Sequence, residues 1–215
     1  MPSGLNDLGL SPDELSRHIA IDIGVRSLGL ALRERLGATF VAQRYSRLVI
    51  DCNRDPMSSE AIETISDGTV IPGNARLREA ERDWRRSFIH EGYHSAIARE
   101  IDQAPDRVFV SLHSFTRTLN GVDRPWDIGV LHRNIAGSFA KRFLGALADQ
   151  EHFLVGDNEP YLFDETDYTA FRHPIARNMP WVEIEVRNDL TDDEGQFRDI
   201  VAVLADALLA AEGGI

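Results

Sequence analysis

Residues 107–115 read "RVFVSLHSF" and residues 181–187 read "WVEIEVR". Both are short runs rich in β-branched and aromatic residues, the pattern of a buried strand. Strand side chains alternate between faces, so Glu183, Glu185 and Arg187 share one face of the second run. The first run carries His113 at its end, followed by Ser114. Two further strands are read from "DIGVLH" and "HFLVG", separated by a helix from about Ile135 to Asp149. Thr191-Asp192-Asp193-Glu194 caps a last helix through Leu209. Strands and helices that alternate in this way predict an α/β layered fold.

Upstream, Ser11-Pro12-Asp13-Glu14 is a capping box with proline at the first helical position, so a helix starts there. A second helix is expected from about Asp22 to Leu36, stopping at Gly37. Thr39–Gln43 and Leu48–Asp51 read as short strands, followed by the polar break Cys52-Asn53-Arg54-Asp55-Pro56. Residues 57–74 have little periodicity, and with Asp67-Gly68 and Pro72-Gly73 they predict a long surface loop. From Leu77 to Ile101 the pattern is helical but changes phase. Leu77, Trp84 and Phe88 share one face, while Tyr93, Ile97 and Ile101 share nearly the opposite one, which predicts a kink at Gly92.

The chain has 215 residues, 43% of them hydrophobic, enough for one substantial core, and a single domain over residues 1–215 is expected. A net charge of -12 disfavours nucleic acid and anionic membranes as partners, since both would repel such a surface. Cys52 is the only cysteine, which excludes an intrachain disulfide and any multi-cysteine zinc site. The opening "MPSGLNDLGL" has no basic region followed by an apolar run, and no apolar run approaches spanning length. A soluble, cytoplasmic protein is expected. Oligomeric state is not legible in the sequence.

Residues 90–94, His-Glu-Gly-Tyr-His, match H-E-x-x-H, the helical zinc motif of many metalloproteases. That chemistry requires a third ligand, and Ile97 and Glu100 occupy the places where the extended motif has glycine and histidine. His94 also shares its face with Ile97 and Ile101, which suits a hydrogen-bonded core histidine better. The strand ends offer a different site. In open α/β sheets ligands bind beyond the carboxyl ends of the strands. "RLVIDCNR" delivers Asp51, Asn53 and Arg54, "VFVSLHS" delivers His113 and Ser114, "FLVGDNEPY" delivers Asp157, Asn158, Glu159 and Tyr161, and "VEIEVRND" delivers Glu183, Glu185 and Arg187. A histidine on a rigid strand suits a metal, a neighbouring carboxylate suits a base, and arginines suit a substrate carboxylate. Each also has a structural reading: Glu183 or Glu185 as the ion-pair partner of Arg187, and Arg54 as the partner of Asp51.

Taken in order, "RYSRLVIDCNR", "SLHSFT", "GDNEPY", "DYT" and "VEIEVRNDL" resemble the N-formylglutamate amidohydrolase family, and "DLGLSPDELSRHIAIDIGV" extends the resemblance to essentially the whole chain. The resemblance implies a single-domain mixed sheet flanked by helices, similar to the zinc carboxypeptidases and aspartoacylase. It implies a Zn2+-dependent hydrolase that cleaves the amide of a small N-acylated amino acid, such as N-formylglutamate, to formate and glutamate. It makes His113 and Asp22 metal ligands and Glu185 the general base. Asn53 and Arg54 would bind substrate and polarise the scissile carbonyl, Arg47 would hold a substrate carboxylate, and Asn158 and Arg187 would line the pocket. The family name implies amino-acid metabolism.

Members of that family carry, before the segment matching "GLNDLGL", a strand ending in a Cys-Asp-His-Ala-Ser-Asn-like run whose histidine is a further metal ligand. This chain begins at Met1-Pro2-Ser3, after that point. The expectation is therefore a domain lacking its first strand and a site one ligand short of the usual three. A truncated start accounts for this, or His18, one helical turn before Asp22, substitutes. The alternatives are a non-catalytic member that binds an acidic small molecule through Arg47 and Arg54, or the H-E-x-x-H protease.

Overall fold

The computed structural model describes residues 4–148, 150 and 152–213. The chain divides into two compact units. One comprises Met1–Ile21, Val41–Ala104 and Glu165–His173; the other comprises Asp22–Phe40, Pro105–Asp164 and Pro174–Ile215.

The second unit is built on a four-stranded mixed sheet. Its strands are β1 (Phe109–Phe115), β2 (Ile128–Leu131), β3 (Val155–Asp157) and β4 (Trp181–Arg187), in the spatial order β1-β4-β2-β3. β4 runs parallel to β1 and antiparallel to β2, and β3 runs parallel to β2. Three helices supply the layer: α1 (Val25–Leu36), α2 (Phe139–Ala148) and α3 (Glu194–Glu212). Val182, Ile184 and Val186 are fully buried and share a core with Leu28, Ile128, Phe143, Leu147, Ile200 and Leu204. Val110 and Leu112 of β1 pack against the same core. By alternation Ser111, His113, Glu183 and Glu185 lie on the opposite face of the sheet.

α1 begins at Val25, three residues later than its apolar pattern predicts, and the reason is Gly24. Its φ of 79° lies in the left-handed region, and a Cβ there would come 2.0 Å from Thr191 Oγ1. Asp22 therefore sits in a turn before the helix, where its carbonyl accepts from Val25 N at 3.3 Å. α1 stops at Gly37 as expected, with Arg33 and Arg35 in the last turn facing the negative end of the helix dipole. β1 continues two residues past His113, so that histidine lies within the strand instead of at its end. α2 is shorter than expected, and Asp149 lies outside the described residues. α3 is capped by Asp193, whose side chain accepts from Gln196 N at 2.9 Å, and it runs to Glu212.

In the first unit the expected capping box is present, with Ser11 and Glu14 each bonded to the other's backbone amide, although the helix spans only Pro12–Leu15. Leu48–Asp51 is not a strand. Leu48, Val49 and Ile50 are buried in the core of this unit with Leu8, Ile19, Ile71 and Ile89, and side chains satisfy the carbonyls of the first two. Asn74 donates to Leu48 O at 2.8 Å and to Glu63 O at 2.7 Å. Arg85 donates to Val49 O and to Asn74 Oδ1, both at 2.7 Å. An apolar run looks the same in a strand and in a buried irregular segment, and here the hydrogen-bond partners came from elsewhere in the chain. Thr39–Gln43 also forms no strand.

The long loop is partly ordered by Ser59–Ile62, by Pro72–Asn74 and by a small hairpin pairing Ile65–Ser66 with Thr69–Val70 around Asp67-Gly68. The helical phase change falls earlier than Gly92. Glu79–Trp84 and Glu91–Gln103 are α-helical, and the turn between them, Arg85–His90, is a π segment. One extra residue per turn rotates the apolar stripe, which explains the change of face.

Candidate active site

On the polar face of the second unit's sheet, the register of β1 on β4 pairs Ser111 with Glu183 and His113 with Glu185. The turn before α1 brings in Asp22, whose Oδ2 lies 2.8 Å from His113 Nδ1. His113 Nε2 lies 3.1 Å from Ser111 Oγ. Burial by itself would lower the His113 pKa. The hydrogen bond to Asp22 and the charges of Glu183, Asp22 and Glu185 override it and push the pKa up to about 10. Glu183 and Glu185 are almost fully buried on a strand whose backbone is paired on both sides, so their positions are rigid.

Asp22, His113 and Glu185, named from the sequence for the chemistry, are thus gathered within one unit. Ser111 was not named. Its place two residues before His113, on the same strand face, was the available signal. Arg187 lies on that face too, but it is held by Asp127 at 2.6 Å and by Asp189 at 2.7 Å. Asn158, at φ 54°, accepts from His132 N through Oδ1 at 2.9 Å and so closes the turn after β3.

The substrate-binding candidates of the first unit form another group. Asp51 receives Arg47 Nη2 at 2.6 Å and Nε at 3.0 Å, while its other oxygen accepts from Asn53 N at 2.8 Å. Asn53 Oδ1 accepts from Thr169 N at 3.0 Å. Arg54 Nη1 donates to the carbonyls of Asn53 and Thr166, each at 3.0 Å, and its Nε lies 3.4 Å from Glu60. Arg47 and Arg54 line a cavity of about 210 Å³ together with His18, Asp51, Glu60, Glu63 and Asp67. His18 Nε2 lies 3.5 Å from Asp67.

The H-E-x-x-H residues are all engaged in building this unit. His90 donates from Nε2 to Arg54 O at 3.0 Å, and His94 donates from Nε2 to Cys52 O at 2.9 Å. Two histidines one helical turn apart thereby cap alternate carbonyls of the irregular "DCNR" segment. His94 Nδ1 faces His173 Nε2 at 2.8 Å, and Arg172 Nη2 lies 2.7 Å from both oxygens of Glu91. Arg172 holds the Glu91 carboxyl below its usual range, and burial lowers the His94 pKa to about 3, with positive charge on His90, Arg172 and His173 acting in the same direction. This spacing serves backbone satisfaction, as expected of a core histidine.

Asp22 and His113 are donors of the kind zinc takes, but a catalytic zinc usually keeps three protein ligands. Among the described residues no group of three or more histidine, cysteine, aspartate or glutamate side chains is arranged to hold a metal. Among them, too, no helix is long and apolar enough to cross a membrane.

The fold is a mixed α/β sheet that carries a partly buried carboxylate–histidine cluster on its polar face. The chain belongs to the N-formylglutamate amidohydrolase family, a family of hydrolases, whose model matches residues 1–191. A gene product of Agrobacterium tumefaciens with a known crystal structure is 37% identical, with a TM-score of 0.90, over 99% of this chain and 86% of that one. An N-formylglutamate amidohydrolase from Ralstonia eutropha shares 19% identity with a TM-score of 0.58, over 99% of this chain and 90% of that one, and bears on the fold alone. No curated protein matches the chain.

Proposed function

We propose that this protein hydrolyses the amide of a small N-acylated amino acid, N-formylglutamate being the type substrate, to formate and the free amino acid. The observation that carries the reading is the cluster of Asp22, His113 and Glu185, the last two paired in register on neighbouring strands, in a chain of this family. In the proposed reaction water adds across the amide. Glu185 takes a proton from the water, the hydroxyl oxygen bonds to the formyl carbon, the C–N bond breaks, and the proton passes to the departing amine. Arg54 is assigned to the oxyanion and Arg47 and Asn53 to the substrate, with Asn158 and Arg187 in supporting places. Backbone carbonyls fix Arg54, and a carboxylate fixes Arg47, so both guanidinium groups are pre-positioned.

We further propose Zn2+ as the cofactor, with Asp22 and His113 as two of its ligands. Bound there, it would polarise the carbonyl and acidify water. Among the described residues no third side chain is arranged with these two to hold a metal, so the steps above are written for the chain's own groups. A cytoplasmic location is part of the proposal; a buried Cys52 with no disulfide suits a reducing compartment.

The test is formate release from N-formyl-L-glutamate by the purified chain, with and without added Zn2+, for the wild type and Glu185→Gln. We expect release that falls at least about 100-fold in the variant while its fold is kept. Absence of formate from every N-formyl amino acid tried, with metal supplied, would overturn the reading and leave a non-catalytic binder.

A further inference from the structure

The second unit buries a cation, Arg124, for which the described residues supply no counter-charge. Arg124 is only 7% exposed, and among those residues no carboxylate pairs with it. Its neighbour Asp123 turns instead to Arg117, at 3.4 Å. Every acceptor that Arg124 meets is a carbonyl or hydroxyl oxygen. Nε donates to Thr116 O at 2.8 Å, Nη2 to Thr116 O and to Thr116 Oγ1, and Nη1 to Tyr161 Oη at 2.6 Å. A guanidinium carries two N–H groups on Nη1, and among the described residues the second of them has no acceptor. The rings of Phe115 and Tyr161 lie with their centroids 5.2 and 5.3 Å from Cζ. The backbone is fixed as well, because Arg124 N donates to Arg117 O at 2.8 Å beside the hairpin that pairs Thr118–Leu119 with Val122–Asp123. A cation held away from water is costly unless an anion accompanies it, and this one is held rigidly.

The position of this charge ties it to the carboxylate–histidine cluster. By alternation Phe115 shares the His113 face of β1, two residues or about 7 Å further along the strand. The loop after β3, which supplies Tyr161, crosses the same face. A Cβ on Gly129 would come 2.1 Å from Glu159 O, and Gly129 pairs in register with Glu185. We propose that Arg124 binds the side-chain carboxylate of the substrate, and so selects an N-acyl amino acid whose side chain is acidic. The inference rests on the hydrolase reading of the cluster. In an N-acylglutamate the side-chain carboxylate stands two CH2 groups farther from the scissile C–N bond than the α-carboxylate does. That suits a cation set beyond His113 along the strand. The carboxylate accepts a charge-assisted hydrogen bond from Nη1 and supplies the negative charge that the surrounding oxygens do not. A carboxamide of the same size can accept a hydrogen bond there but brings no charge.

The experiment is calorimetric titration of the full chain carrying Glu185→Gln, so that the ligands stay intact, with N-formyl-L-glutamate and its near-isostere N-formyl-L-glutamine. It is repeated with Arg124→Lys and with Arg124→Met added. We expect the glutamate compound to bind at least about tenfold more tightly than the glutamine compound. Arg124→Lys keeps the charge but loses the planar fork, and it should narrow that ratio severalfold. Arg124→Met should abolish the preference; where it does not fold, Arg124→Lys decides. An arginine with a purely structural role would weaken both ligands alike. Equal binding of the two compounds before Arg124 is changed, a ratio that Arg124→Lys leaves unchanged, an equal loss of both ligands, or no binding of either overturns the proposal. Formate release, measured in parallel with Glu185 in place, separates it from the reading beneath it. Preference for the acid in binding without formate release refutes the hydrolase and keeps the role of Arg124, whereas release from both compounds with no preference in binding does the reverse.

Discussion

His94 makes the first unit sensitive to acid in a way that can be worked out. It is fully buried, it donates to Cys52 O through Nε2, and its Nδ1 meets Nε2 of His173. Because Nε2 must donate to a carbonyl, neutral His94 accepts at Nδ1 from His173 Nε2, and a second proton on His94 would remove that acceptor. Burial and the neighbouring positive charges lower its pKa from 6.5 to about 3. The unfolded chain binds a proton at this histidine below pH 6.5 and the folded chain does not, so stability falls as pH drops through that window. The slope is about 1.4 kcal/mol per pH unit, or about 2 kcal/mol between pH 6.5 and about pH 5, before ordinary carboxylates titrate. His90, lowered chiefly by burial, acts in the same direction. His113 has the opposite sign: its contribution is complete below pH 6.5 and is lost as pH rises towards about 10. Urea midpoints should therefore pass through a maximum a little above pH 6.5. The His94→Gln variant can still donate to Cys52 O but cannot titrate. It should be less stable at neutral pH and lose about one proton's worth of the acid slope. An acid slope unchanged in His94→Gln would refute the reasoning.

Two further substitutions test the scaffold. Gly24→Ala puts a Cβ at φ 79° and within 2.7 Å of three Thr191 side-chain atoms, so it should cost about 2 kcal/mol or more by denaturant unfolding, and Thr191→Gly should restore only part of the loss. Arg85→Met strands Val49 O and Asn74 Oδ1 in the interior and should cost about 3 kcal/mol, while Arg78→Met at an exposed position should change stability by less than about 0.5 kcal/mol.

Some features of the fold follow from periodicity and local chemistry alone. The alternation in "WVEIEVR" puts Glu183 and Glu185 on one face whatever lies beside them, and Gly37 ends α1 because a left-handed residue stops a helix. The H-E-x-x-H spacing gave two histidines on one face of a helix, but a motif carries no information about what that face meets. Here it meets the carbonyls of Cys52 and Arg54. The apolar run Leu48–Ile50 misled for a related reason: it fixes burial, not the partner of each backbone group, and Asn74 and Arg85 supplied those partners from 26 and 36 residues away.

The sequence by itself determined the strand faces, the end of α1 at Gly37 and the family, because all of these depend on residue type and short spacing. Only the tertiary structure decided that Asp22 leaves its helix to meet His113, 91 residues on, and that Arg187 is spoken for by two aspartates. Those are contacts between distant segments, and their energies depend on distance and burial, which a linear order of residues does not encode.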